Sequence, residues 1–114
     1  MAKLRTSTAL IDALGDLEQA LADNIDRSSE IRNRVLYFRA QLASGATIDD
    51  LVRAEQEPRT VEMLTANMAI LDGVGSTFRL SLAQALRDEG MTIAAIAELF
   101  GVTRQRISAL LRQR

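Results

Sequence analysis

The densest acidic pairs in the sequence are Asp49-Asp50 and Glu55-Glu57, and paired carboxylates can share acid–base work or hold a hard cation. Each pair also has a plainer role. Asp49 and Asp50 follow Thr47, where first-turn carboxylates suit the positive end of a short helix; Glu55 and Glu57 form a polar helix end before Pro58. The sequence contains neither cysteine nor histidine, which removes disulfides, thiolate nucleophiles, Cys/His zinc sites and imidazole catalysis. Gly73-Val74-Gly75 lacks the further glycine and the lysine of a phosphate-cradling loop and reads as a hinge. No enzymatic activity, cofactor or metal is therefore expected.

A different chemistry is concentrated near the C-terminus, in the run Thr92-Ile93-Ala94-Ala95-Ile96-Ala97-Glu98-Leu99-Phe100-Gly101-Val102-Thr103-Arg104-Gln105-Arg106-Ile107-Ser108-Ala109-Leu110-Leu111-Arg112. Ile93, Ile96, Ala97 and Phe100 make the inward stripe of one short helix, and the small Ala97 permits close crossing by a second. Gly101 supplies the turn, Val102 is expected to plug the space between the helices, and Thr103 caps the second helix. In that helix Ile107, Leu110 and Leu111 point inward, leaving Arg104, Gln105, Arg106, Ser108 and Ala109 to the outside. Arginine pairs bidentately with guanine and glutamine with adenine, each pairing worth roughly 1–3 kcal/mol of discrimination. Two arginines in a first helical turn face the positive end of the helix dipole, an arrangement that an anionic ligand would relieve.

The segment from Thr92 to Arg112 resembles the helix-turn-helix of bacterial transcription regulators. Gly101-Val102-Thr103-Arg104-Gln105-Arg106-Ile107 is similar to the start of the recognition helix in region four of primary sigma factors, with Gln105 where that pattern usually carries glutamate. The resemblance implies that Arg104, Gln105 and Arg106 face the major groove of double-stranded DNA, that Thr92 and Thr103 approach phosphates, and that the chain is a regulator sharing this module. Ser108, Ala109 and Arg112 complete the candidate DNA-binding set; Arg112 and Arg114 suit both the negative end of the helix and a nearby DNA backbone.

Charge is distributed accordingly. Residues 1–72 hold 8 Lys/Arg and 12 Asp/Glu, whereas residues 73–114 hold 6 Arg and 3 Asp/Glu, the asymmetry of a nucleic-acid-facing segment on an acidic body. With 47% hydrophobic and 25% charged residues, the chain is too apolar for a disordered tail. Aromatic residues are only Tyr37, Phe38, Phe78 and Phe100, so the beta-rich alternative lacks its usual building blocks, and an all-α fold is expected.

Several helices must position the C-terminal motif. Leu10, Leu14, Leu17 and Leu21 form an apolar seam and predict a helix over about 7–24; Ile31, Val35, Phe38 and Leu42 predict a second, opened by Asp26, Ser28 or Ser29 and closed by Ser44-Gly45. Together they predict an N-terminal helical hairpin or bundle. A short helix capped by Thr47 should end before Pro58, and Val61, Leu64, Met68 and Leu71 predict another over about 59–72. From there one helix could run on to Gly90, or the chain could turn at 73–75 with Ser76 as a new cap. The two glycines favour the break, dividing the chain into a dimerisation lobe, 1–72, and a three-helix helix-turn-helix domain, 73–114. Phe78, Leu82, Ala85 and Leu86 would supply core to that domain, with Arg79 and Arg87 as secondary phosphate contacts. Arg27, Arg32, Arg34 and Arg39, interspersed with acids, read as a solvated face.

The expected partners are double-stranded DNA and, through the N-terminal helices, a second copy of the chain, since helix-turn-helix modules commonly read two half-sites as two-fold dimers. The alternatives are an adaptor that engages an acidic protein of the transcription machinery and a nucleoid-associated protein of low sequence specificity. The N-terminus lacks the apolar run of a secretory signal and no stretch has the length of a membrane span, so a cytoplasmic location is expected.

Overall fold

A computed structural model describes residues 2–113, and the fold is all-α: helices α1 (Ala2–Ala43), α2 (Ile48–Ala54), α3 (Thr60–Asp88), α4 (Ile93–Phe100) and α5 (Arg104–Arg112) follow one another, with no strand among the described residues. No helix among them is long and apolar enough to cross a membrane. The backbone divides into two compact units: Gln19–Asp72, and the chain up to Glu18 together with the chain from Gly73 onward. The division at 72/73 falls where the charge changes, but the first 18 residues group with the C-terminal segment.

Two expected breaks are absent. Residues 24–31 do not separate two helices; α1 runs through them, so Asp26, Ser28 and Ser29 are not caps and the expected hairpin of 7–24 with 31–42 does not form. Neither glycine nor proline occurs between Asp16 and Ser44 to interrupt the backbone ladder. Asn24, Arg27 and Ser28 bond to other side chains, as where Ser28 Oγ donates to Asn24 Oδ1 at 3.4 Å. α3 likewise passes through Gly73 and Gly75, and Ser76 is an interior residue whose Oγ accepts from Arg79 Nη2 at 3.2 Å. Each glycine costs a helix about 1 kcal/mol relative to alanine, which the buried Ser81, Ala83 and Ala85 further along the same helix help to offset.

In Gln19–Asp72 the antiparallel partners are α1 and α3. Asn67, 6% exposed, accepts at Oδ1 from Asn24 Nδ2 at 2.8 Å and from Arg27 Nε at 2.9 Å. Further along α1, Arg34 Nη1 donates to the carbonyls of Gln56 at 3.3 Å and Pro58 at 2.7 Å. Arg27 and Arg34 are therefore half-buried structural residues, in contrast to the solvated face expected of them, while Arg32 and Arg39 are exposed. The inward line of α1 is Ala20, Asn24, Arg27, Ile31, Arg34 and Phe38, at alternating spacings of four and three. It opposes Thr60, Met63, Asn67 and Leu71 of α3. The expected apolar seams mostly miss these lines: Leu21, Val35, Val61, Leu64 and Met68 are exposed.

α2 is capped by Thr47, whose Oγ1 accepts from Asp50 N at 3.1 Å, and it buries Leu51. Beyond it, Glu55 holds the start of α3: Oε1 accepts from the backbone N–H of Thr60 at 2.6 Å and from the Thr60 hydroxyl, with Arg34 Nη1 4.0 Å away. The Thr60 hydroxyl above all, then its N–H and the Arg34 and Arg59 charges, hold the Glu55 carboxyl below its ordinary range against the opposing effect of burial.

The unit containing the C-terminus closes around Ala83, Ile96, Ala97 and Ile107, all at most 4% exposed, with Leu86, Met91, Ile93, Phe100, Leu110 and Leu111 packed against them. The inward residues expected of α4 and α5 thus form this core. Val102 does not plug it: the side chain is 37% exposed.

Candidate functional site

α4 and α5 are too short to persist alone in water, so capping and shared core must fix them. Thr92 Oγ1 accepts from Ala95 N at 3.1 Å and Thr103 Oγ1 accepts from Arg106 N at 3.1 Å. Between the helices Gly101 adopts φ 68°, ψ 32°, a left-handed conformation costly for residues with a Cβ. This allows Val102 N–H to return to Ala97 C=O at 3.0 Å and Gly101 N–H to Glu98 C=O at 3.2 Å, closing the free carbonyl end of α4. Both threonines are consequently exposed caps, their hydroxyl oxygens engaged by the helix they begin.

Ile107, 1% exposed, fixes the rotation of α5. At about 100° per residue, Gln105, Ala109 and Arg112 form the ridge opposite it, and all three are exposed. Arg104 lies on one flank beside the half-buried Ser108. Arg106 lies on the other, about 160° from Arg104 around the axis. The expected triplet is thus divided: Gln105 tops the ridge while the arginines stand on opposite sides. Among the described residues, no carboxylate forms an ion pair with Arg104, Arg106 or Arg112; the ion pairs all lie between Arg34 and Arg59 in sequence.

Beside the Arg106 flank is an open groove of about 630 Å³, lined by Ser76 and Arg79 of α3, by Phe100 and Val102, and by Arg106, Ile107, Ala109, Leu110 and Gln113 at the α5 end. Its described lining residues include two guanidinium groups and no carboxylate. A second depression, lined among others by Arg5, Arg87 and Asp88, carries both signs of charge. Arg87 is moreover committed locally, Nη1 donating to Met91 C=O at 3.0 Å. Of the two arginines expected as secondary contacts, Arg79 is the one in the groove.

Ser76 and Gln113 are not apparent as groove residues from the sequence. The available signal is the spacing of Ser76 and Arg79, one turn apart whether the helix continues through Gly75 or begins at Ser76. Arg114 lies outside the described residues. No group of three or more Asp or Glu side chains among the described residues is arranged to hold a metal ion. No protein-family model matches the chain, nor does any curated protein or any solved structure.

Proposed function

We propose that this chain is a sequence-specific double-stranded DNA-binding regulator, reading base edges in the major groove with α5 and acting as a homodimer. The observation that carries the reading is an exposed ridge with Gln105 at its head, flanked by arginines that form no ion pair with a carboxylate among the described residues, on a helix whose opposite side is locked by Ile107. Glutamine and arginine have the donor and acceptor geometry that distinguishes bases in the major groove. A helix held by a buried core presents them at little conformational cost. Exposed caps at Thr92 and Thr103 place the positive ends of α4 and α5 at the surface, where phosphates favour them.

Dimerisation is supported by the surface of Gln19–Asp72. Leu21, Ile25 and Val35 of α1 and Val61, Leu64 and Met68 of α3 are 47–76% exposed. Counted around each helix from its inward line, both sets are displaced by about 100° in the same rotational sense; for antiparallel helices this puts them on the same side of the pair. Monomers rarely leave such a contiguous patch in water. A second copy applying the same face about a two-fold axis would cover it as a four-helix arrangement and offer two reading helices to half-sites about 34–36 Å apart.

The test is selection of bound duplexes from a random pool by the full chain at near-physiological salt, repeated with Gln105→Ala. An inverted-repeat motif is expected from the parent, with Gln105→Ala losing about 1–3 kcal/mol of discrimination at one symmetric pair of positions. Absence of any enrichment would overturn the reading in favour of an acidic protein partner, and uniform binding to all duplexes would turn it toward a nucleoid-associated role.

A further inference from the structure

Resting on the DNA-binding reading above, we propose that the groove between α3 and α5 is a clamp for a DNA backbone phosphate, with Arg79 and Arg106 as its two arms. Arg106 is thereby a positioning contact and not a base reader. Its place on α5 sets it about 100° from Gln105 and about 120° from Arg112 around the axis, on the flank that Ala109 borders. A helix lying in a major groove turns its ridge to the base edges and its flanks toward the phosphate walls, where contacts fix orientation without reading sequence.

Arg79 is prepared for this role. Its Nη2 donates to Ser76 Oγ at 3.2 Å, and the guanidinium lies back over Gly75, where an added Cβ would meet Nη1 at 3.3 Å. Gly75 thus leaves room for the arginine to lie along its own helix, and Ser76 holds it by one nitrogen while the remaining donors stay available. A planar guanidinium so held loses little freedom when it binds an oxyanion.

Electrostatics makes the same assignment. Arg79 and Arg106 line one concavity with no carboxylate among its described lining residues, so an anion entering it meets two cationic side chains. The hydroxyl of Ser76 and the amide of Gln113 add neutral donors. The chemistry is that of a phosphate oxyanion, and among its sources the phosphodiester of duplex DNA is favoured because the groove opens along α5, beside the proposed reading ridge.

The experiment measures affinity of the full chain for its selected duplex and for a scrambled duplex over a series of salt concentrations, using fluorescence anisotropy. Arg79→Ala and Arg106→Ala are each expected to weaken both duplexes by the same factor, about three- to tenfold at physiological salt, and to reduce the log–log salt slope by about 1. Gly75→Ala, which keeps every charge but crowds Arg79, should weaken both duplexes to a smaller extent. An unchanged slope in Arg79→Ala overturns the clamp while leaving the DNA-binding reading intact, as does an Arg106→Ala variant that loses only the selected duplex. A parent chain that binds neither duplex removes that reading and the clamp with it. Calorimetric titration with inorganic phosphate separates the sources: saturable binding abolished by both substitutions, with unchanged DNA salt slopes, would make the groove a small-anion site and overturn the proposal.

Discussion

Around Ile96 and Ile107 the chain completes its own core: these side chains are 0% and 1% exposed, although α4 and α5 are only 8 and 9 residues long. Within Gln19–Asp72 the relation is reversed. The helices are long, yet their shared line contains Asn24, Arg27, Arg34 and Asn67, while Ile25, Val61 and Met68 remain at least 63% exposed. Short helices depend on capping and on core contacts made within the chain. Long helices can hold their shape while keeping a whole face for something else. On the proposed reading, the first region presents side chains to DNA and the second joins two copies of the chain.

The sharpest way to break this contrast is Ile96→Ala. A cavity at a fully buried position costs about 2–5 kcal/mol, and the loss, measured by urea unfolding, should be the same at every protein concentration. Ile25→Asp combined with Met68→Asp addresses the other region. The parent is expected to sediment as a dimer and the variant as a helical monomer, with association weakened at least tenfold, about 1.4 kcal/mol; a monomeric parent would remove the contrast. Thr103→Ala deletes the α5 cap and should cost about 1 kcal/mol, seen in thermal melts together with faster amide exchange in the first turn of α5. The smallest effect concerns pH. Because the folded state lowers the pKa of Glu55, its contribution is present at neutral pH and is lost as pH falls below the ordinary carboxylate range. Glu55→Gln should therefore flatten the acid limb of a plot of Tm against pH.

Much of the C-terminal arrangement is legible in the sequence because its signals are local. Threonine caps, a glycine with positive φ and inward isoleucines are all specified within a few residues, and they place α4, the turn and α5 where the pattern expects them. Val102 departs from its expected place and lines the open groove with Ser76 and Arg79 of α3. The N-terminal organisation is less legible for a physical reason. A search for apolar periodicity selects the largest aliphatic side chains, and here Leu21, Val35, Leu64 and Met68 lie outside the α1–α3 contact. The true inward line mixes Ile31 and Phe38 with Ala20, Asn24, Arg27 and Arg34, and its polar members find partners far along the chain, Asn24 and Arg27 in Asn67 and Arg34 in the carbonyls of Gln56 and Pro58. The continuity of α3 is obscured similarly, since glycine's cost is local and the packing that offsets it is not.

The knot of Asn24, Arg27, Ser28 and Asn67 has one more implication. Arg27 Nη2 is buried and has no hydrogen-bond partner among the described residues, a costly feature that a leucine would remove. Purely aliphatic helices can slip past one another by a heptad and recover nearly equal packing. With Asn67 seated between Asn24 and Arg27, a slip would leave these groups unpaired. The knot therefore acts as an alignment key, surrendering some stability so that α1 and α3 meet in only one register.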